Sequence, residues 1–192
     1  NLTGLLKLML GEVTANEEAI LDQAITETYA SRDIVPGKDF SEAQPPLLED
    51  LQTILKNTEG GRNISGRLER FTAGSYSGFT NKPTNVDIKT RLIVFSIRDL
   101  EDELRPIAMY VILNFIWNRI RAELKKRVLV IDEAWNLMQF EDSARFLYGI
   151  VKRARKYYLG ITTITQDIED FVNSPYGKPI ITNSSLQILL RQ

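Results

Sequence analysis

Two different periods govern the apolar and polar positions of this chain, and the change falls at about residue 74. Over residues 1–73 the apolar positions recur at helical spacing, which predicts an all-helical subdomain. Leu2 to Leu10 reads as a short apolar helix ended by Gly11. Thr14-Ala-Asn-Glu17 is a capping box, with Glu17 placed to accept a hydrogen bond from the backbone N–H of Thr14. The helix it opens carries Ile20, Leu21, Ala24, Ile25 and Thr28 on one face. Residues 33–46, with Pro36-Gly37 and Pro45-Pro46, predict a loop. Helices then follow over about 47–56, stopping near Gly60-Gly61, and over 64–71. No chemistry is visible in this part.

From residue 74 onward the pattern changes. Residues 75–78 and 81–85 are rich in turn formers. Residues 91–97 form a near-continuous apolar run, the mark of a strand covered on both faces. Asp99, Glu101, Asp102 and Glu103 suit the first turn of a helix, where carboxylates complement the dipole. That helix is expected to run to about Leu124. It is apolar almost all round, so it should be buried on more than one side. A strand at 128–132, a helix at 142–157 and a strand at 160–165 come next. A short helix with Ile168 and Phe171, an apolar stretch at 180–184 and a last strand at 186–190 complete the chain. Strands alternating with helices of this length predict an α/β fold, a parallel sheet flanked by helices over residues 74–192.

Composition narrows the chemistry. The 192 residues are 43% hydrophobic and 26% charged, as expected of a packed globular chain. The sequence contains neither cysteine nor histidine. Disulfides, zinc sites of the Cys/His type and His-dependent triads are therefore excluded, and any metal must be a hard ion held by carboxylates and phosphate. No apolar run approaches the roughly 18 residues needed to cross a bilayer, and the first residues do not read as a secretory signal. The net charge is −1 but unevenly spread: residues 1–60 carry 4 Lys/Arg against 11 Asp/Glu, and residues 61–192 carry 20 against 14. Two differently solvated surfaces account for this. So does a basic face turned towards phosphates, nucleic acid or an acidic neighbour.

The run Arg127-Val-Leu-Val-Ile-Asp-Glu-Ala-Trp135 is the strongest chemical signal. In a parallel α/β sheet, ligands bind at the carboxyl ends of the strands, so an acidic pair directly after a buried strand sits at the ligand edge. Asp132 is placed as a Walker B aspartate holding Mg²⁺ through a coordinated water. Glu133 is placed to orient, or take a proton from, the water that attacks a γ-phosphate. The plain alternative is a strand ending in a solvated acidic pair. Gln166, after the next expected strand, is placed to sense the γ-phosphate or the lytic water, or is simply a loop glutamine. The cluster Lys152-Arg-Ala-Arg-Lys156 suits a helix C-terminus on dipole grounds. Its functional version makes Arg153 or Arg155 an arginine finger acting on nucleotide bound by a neighbouring subunit, with Arg191 a third candidate. No G-x-x-x-x-G-K-[ST] phosphate cradle occurs in the sequence; Gly37-Lys38 and Gly177-Lys178 lack its spacing. Poor nucleotide binding by these residues alone is expected, with the cradle either degenerate or upstream of Asn1.

Taken in order, Arg127 to Trp135, Ala154-Arg-Lys156, Ile164-Thr-Gln166 and Ile188-Leu-Leu-Arg-Gln192 resemble the conjugative-transfer ATPases of type IV secretion systems, the VirB-four family. Upstream, Leu6-Lys-Leu-Met-Leu-Gly11 with Glu17 to Asp22 resembles the family's helical insertion. Thr84-Asn-Val-Asp87, Leu92-Ile-Val-Phe95 and Asp102-Glu-Leu-Arg105 resemble the segment leading into its core. The resemblance implies a RecA-like ATPase related to the FtsK and HerA translocases, working on ATP and ADP with Mg²⁺. It implies a homo-oligomer, often a hexamer, at the cytoplasmic face of the inner membrane. Other secretion components, the coupling ATPase among them, are the implied partners, with DNA as a further one. Asp132, Glu133 and Gln166 inherit the Walker B and sensor roles, and residues 1–73 the place of the insertion. Two other readings stand beside the secretion motor: a DNA-translocating or coupling ATPase, and a non-catalytic interaction module.

Overall fold

A computed structural model describes residues 2–86, 90–166 and 168–190. Contacts divide the chain into two compact units, one made of Asn1–Leu8 with Val94–Gln192 and the other of Met9–Ile93.

The second of these is helical. Helix α1 (Leu2–Leu10), whose residues 2–8 belong to the other unit, ends at Gly11, whose φ of +75° is the left-handed conformation that glycine adopts without a Cβ penalty. Helix α2 (Ala15–Ala30) is opened by the expected capping box: Glu17 N–H donates to Thr14 Oγ1 at 3.2 Å and Thr14 N–H donates to Glu17 Oε2 at 2.9 Å. Glu17 also accepts from Arg67 Nη2 at 2.7 Å and Asn63 Nδ2 at 3.1 Å, which ties the start of α2 to helix α4 (Arg62–Thr72). Between them lies α3 (Leu48–Asn57), in contact with both α2 and α4. Leu21, Ala24, Leu51, Leu55, Ile64, Leu68 and Phe71 are buried. Gln52, buried alongside them, donates to Ser65 O at 3.1 Å and accepts from Thr72 Oγ1 at 2.8 Å, which avoids the cost of orphaning its amide. A short helix α5 (Ser77–Thr80) follows α4.

The other unit carries the sheet. Helix α6 (Arg105–Ala122) begins later than its acidic forerunners predict, and none of its first-turn residues is acidic. Pro106 lies in the first turn, where no backbone donor is needed, and residues 102–104 ahead of it form a turn. Asp102 instead pairs with Arg105 across the turn at 2.7 Å. The first turns of α6 are buried all round, from Pro106 to Tyr110, and Leu113, Trp117 and Ile120 then continue a single buried face. Burial and the neighbouring Asp142 carboxylate push the Tyr110 phenol up to about 12, so it stays neutral.

Strands β1 (Arg127–Ile131) and β2 (Leu159–Thr163) run parallel, with Arg127 opposite Leu159 and Ile131 opposite Thr163. Between them lie α7 (Trp135–Met138), α8 (Glu141–Ala154) and a 3₁₀ turn at Arg155–Tyr157. Ser143 Oγ donates to Leu137 O at 2.6 Å and closes the α7–α8 corner. After β2 come α9 (Ile168–Asn173) and α10 (Gly177–Asn183). Tyr176, just ahead of α10, donates to Glu141 Oε1 at 3.2 Å and accepts from Arg145 Nε at 3.1 Å, linking this corner to α8. Leu129 and Ile131 face the helices, where Met109, Leu113, Leu137, Ala144, Leu147 and Phe171 form the core. The opposite face is open: Val128 is 74% and Val130 58% exposed, beside Gly160 and Thr162.

The strands expected at 91–97 and 186–190 are extended but join no ladder among the described residues. Leu92, Val94, Leu186, Ile188, Leu189 and Leu190 are all more than 70% exposed. A strand is defined by the neighbour that takes its N–H and C=O groups, and among the described residues β1 and β2 pair only with each other.

Candidate functional site

Chain direction and register build the site. A parallel ladder continues one step past the strands: Ile164 N–H donates to Ile131 O at 2.8 Å, and Ala134 N–H donates to Ile164 O at 3.0 Å. Ile164 is therefore pinned between Ile131 and Ala134, and Gln166, two residues on, comes over the turn that leaves β1. That turn depends on Glu133, whose φ is +51°. For a residue with a Cβ this left-handed conformation costs about 1–2 kcal/mol, and it persists only where the surroundings hold it. Here Asn136 N–H donates to Glu133 O at 3.0 Å and Leu137 N–H to Ala134 O at 3.1 Å, so α7 starts directly from the turn. Buried Ala134 and Leu137, neither leaving any surface exposed, anchor it from below.

The side chains converge on Glu133. Gln166 Nε2 donates to Glu133 Oε1 at 2.9 Å. The Trp135 indole Nε1–H donates to the other oxygen, Oε2, in a short hydrogen bond. Asn136 Nδ2 reaches the Glu133 carbonyl at 3.3 Å. Asp132 is exposed at the strand end, with Oδ1 accepting the Glu133 N–H at 3.0 Å. Asp132, Glu133 and Gln166 are thus brought together at the carboxyl ends of two adjacent parallel strands, the ligand edge of an α/β sheet.

The donor set suits Mg²⁺. Asp132 offers hard carboxylate oxygen and is oriented by a backbone N–H, and Mg²⁺ typically takes only one or two carboxylates, keeping waters and substrate phosphates for the rest. No group of three or more potential metal ligands occurs among the described residues, so a cage built from protein alone is not offered.

The arginines lie elsewhere. Arg153 and Arg155 sit where α8 ends, before β2 begins, so the length of a five-residue strand, roughly 16 Å, separates them from Gln166's end of the sheet. Arg153 is engaged locally: Nε donates to Gly149 O at 2.7 Å and the guanidinium stands 5.0 Å from the centre of the Trp117 ring. Arg155 is exposed in the 3₁₀ turn. Arg191 lies outside the described residues. The other basic run, ahead of β1, is tied to Glu123, which accepts from Lys125 at 2.5 Å and Arg127 at 3.1 Å. These cations, Lys125's hydrogen bond first, hold the Glu123 carboxyl below its usual range.

Sequence reasoning missed Trp135 and Asn136 as parts of the site. Their spacing after Glu133 is the only available signal, and it acquires meaning once the chain turns left-handed at Glu133.

Residues 62–192 match the TraG P-loop domain. The chain belongs to this family. Among curated relatives, the type IV secretion system protein virB4 of Bartonella quintana is 28% identical over 176 residues, covering 86% of this chain and 22% of the relative. Protein TraC of Escherichia coli is 31% identical over 137 residues, covering 65% and 16%. The DNA import protein CedB of Sulfolobus acidocaldarius is 40% identical over a shorter span of 72 residues. The chain thus spans about a fifth of the length of its first relatives. The solved structure of VirB4 of Thermoanaerobacter pseudethanolicus superposes with a TM-score of 0.82 at 27% identity, over 93% of this chain and 51% of that one. The family expected from the sequence and the RecA-like α/β fold are both borne out. No helix among the described residues is long and apolar enough to cross a membrane.

Proposed function

We propose that the full-length protein hydrolyses ATP to drive a type IV secretion or conjugation machine, powering pilus assembly or substrate transfer. The observation that carries this reading is the pairing of Glu133 with Gln166 at 2.9 Å, beside Asp132, at the carboxyl ends of β1 and β2. The relationship to virB4 and TraC supplies the setting.

In this reading the Asp132 carboxylate is the site's metal-holding group. A bound Mg²⁺ would neutralise charge on the phosphates. Glu133 accepts the hydrogen bond of the attacking water and orients it, and Gln166, already in contact with Glu133, reports the presence of a γ-phosphate. The reading needs a phosphate cradle, which residues 1–192 do not carry in the G-x-x-x-x-G-K-[ST] form. Arg155, exposed at the far end of the sheet, is the arginine best disposed to act on nucleotide in a neighbouring protomer of a homo-oligomer, a hexamer by analogy with the family. The assembly works with other secretion components at the cytoplasmic face of the inner membrane, and residues 1–73 stand in the place of the helical insertion.

The deciding measurement is ATP turnover by the full-length protein and its Glu133→Gln variant. Loss of turnover by a factor of about 100 or more is expected when the group that orients the water can no longer accept its proton. Turnover at the parental rate would remove Glu133 from this role. The 40% identity to a DNA import protein over 72 residues favours one second reading, DNA translocation. Binding of the full-length protein to DNA with a steep salt dependence would support it. Against it stands the pairing of Lys125 and Arg127 with Glu123, which neutralises one of the run's three positive charges.

A further inference from the structure

We infer that Trp135 is a positioning residue for Glu133: its indole N–H and the Gln166 amide form a clamp that fixes both oxygens of the carboxylate before any nucleotide arrives. The inference rests on the reading of Glu133 as the group that orients the attacking water.

Three observations carry it. First, the two oxygens of Glu133 have different partners, Gln166 Nε2 on Oε1 at 2.9 Å and the indole Nε1–H on Oε2. A glutamate has three side-chain torsions, and one hydrogen bond leaves the carboxylate free to swing about that contact. Two bonds from opposite sides leave one orientation. Second, the two donors are anchored on different elements. Trp135 opens α7 and packs on the core formed by Met109, Leu113, Ile131 and Leu137, whereas Gln166 follows β2. The carboxylate is therefore referenced to the core and to the neighbouring strand at once. Third, the arrangement needs the left-handed turn: the φ of +51° at Glu133 folds the chain back so that the residue two positions on meets the side chain. Local strain that is held in place by surrounding contacts is characteristic of preorganised sites.

Each carboxylate oxygen has two lone pairs, so a clamped Glu133 can still accept a hydrogen from water on either oxygen. What the clamp removes is the need to reorient when substrate binds. A base held within a narrow range of positions is worth more in the chemical step than in binding, so loss of the clamp should appear in kcat and not in KM.

Two measurements test this. The first needs no nucleotide. The 192-residue chain has two tryptophans, so Trp117→Phe leaves Trp135 as the sole emitter. In that background the indole should rotate with the protein, and Glu133→Ala should raise the amplitude of its fast, nanosecond anisotropy decay about twofold. Asp132→Ala, which removes the adjacent carboxylate, should leave it unchanged. An unchanged decay in the Glu133→Ala chain overturns the clamp. The second is kinetic. Trp135→Phe in the full-length protein keeps an aromatic ring on the core and deletes the donor. It should lower kcat about tenfold with KM within about twofold. Parental kcat in a folded Trp135→Phe protein overturns the positioning role, and if this variant does not fold, the anisotropy result decides alone. Failure of the clamp is distinguishable from failure of the hydrolytic reading. An inactive Glu133→Gln with a parental Trp135→Phe refutes only the clamp, whereas a fully active Glu133→Gln refutes the role of Glu133 whatever the indole does.

Discussion

Neighbouring residues of β1 should differ sharply in what they contribute to stability. Ile131 is 6% exposed and belongs to the core with Met109, Leu113, Leu137 and Leu147, whereas Val130 is 58% exposed on the open face. Ile131→Ala deletes three buried carbons, about 2.4 kcal/mol of transfer free energy at ~0.8 kcal/mol each. The cavity left behind raises the total to about 3–4 kcal/mol. Val130→Ala deletes two carbons, about 1.6 kcal/mol if fully buried, and scaling by the buried fraction leaves about 0.7 kcal/mol. Both substitutions end in alanine on the same strand, so the β-propensity change largely cancels in the comparison. Both tryptophans of the 192-residue chain lie in the unit that holds the sheet, so their fluorescence during urea unfolding follows that unit. With an m-value of roughly 1–3 kcal/mol/M, the midpoints of the two variants should lie roughly 0.8–3 M apart. An Ile131→Ala chain that is already unfolded without urea agrees with the argument. Equal midpoints for the two variants would refute it, because the assignment of inner and outer faces would then be wrong.

Further expectations follow from individual contacts. The Thr14 backbone N–H foremost, then the Thr14 hydroxyl, Arg67 and Asn63, outweigh burial and hold the Glu17 carboxyl below its ordinary range. The stability this supplies is present above the unfolded carboxylate value of about 4.3 and is lost as pH falls through the lower folded value. Circular dichroism during acid titration should show this loss, and Glu17→Gln should abolish that part of the acid limb. A Cβ at Gly177 would stand 2.2 Å from Phe171 O, so Gly177→Ala should cost more than about 1 kcal/mol in urea unfolding. Gly78→Ala, with nothing within 4 Å, should be tolerated. Arg155→Ala should lower ATP turnover of the assembled full-length protein by roughly 10³-fold if the residue serves a neighbouring protomer. Turnover measured across protein concentrations checks this, since a loss that is the same in dilute monomer would point to folding.

The sequence was most legible where structure is local. The capping box at Thr14 and Glu17 and the stop at Gly11 depend on residues within one turn, so spacing alone locates them. Strands β1 and β2 were legible because a parallel strand buried between helices must be an apolar run with acidic or polar residues at its end. The same rule failed at 91–97 and 186–190. An apolar run records that a segment can be covered, and says nothing of which edge receives it. The start of α6 was misjudged because Asp99 to Glu103 looked like a first turn, whereas the chain forms a separate turn at 102–104 and becomes helical only at Arg105. Gln166 could be anticipated beside Glu133 from strand adjacency. Trp135 could not, because a left-handed glutamate leaves no mark in a sequence in the way that glycine or asparagine does. Nor could the stacking of Arg153 on Trp117, which joins residues 36 positions apart through the packing of α8 on α6.

The open face and edges of the β1–β2 pair bear on how this chain behaves in concentrated solution. Two strands whose outer N–H and C=O rows find no ladder partner among the described residues can template the strands of another copy, and Val128 and Val130 would give such a stack a dry seam. Lys125, Lys126 and Arg127 stand directly ahead of β1, with Glu123 neutralising only one of the three charges. In a parallel, in-register stack these cations would lie above one another about 4.8 Å apart, well inside the roughly 8 Å Debye length at physiological salt. In such a stack of this chain their repulsion would oppose fibrous association, and raising the ionic strength should weaken that opposition.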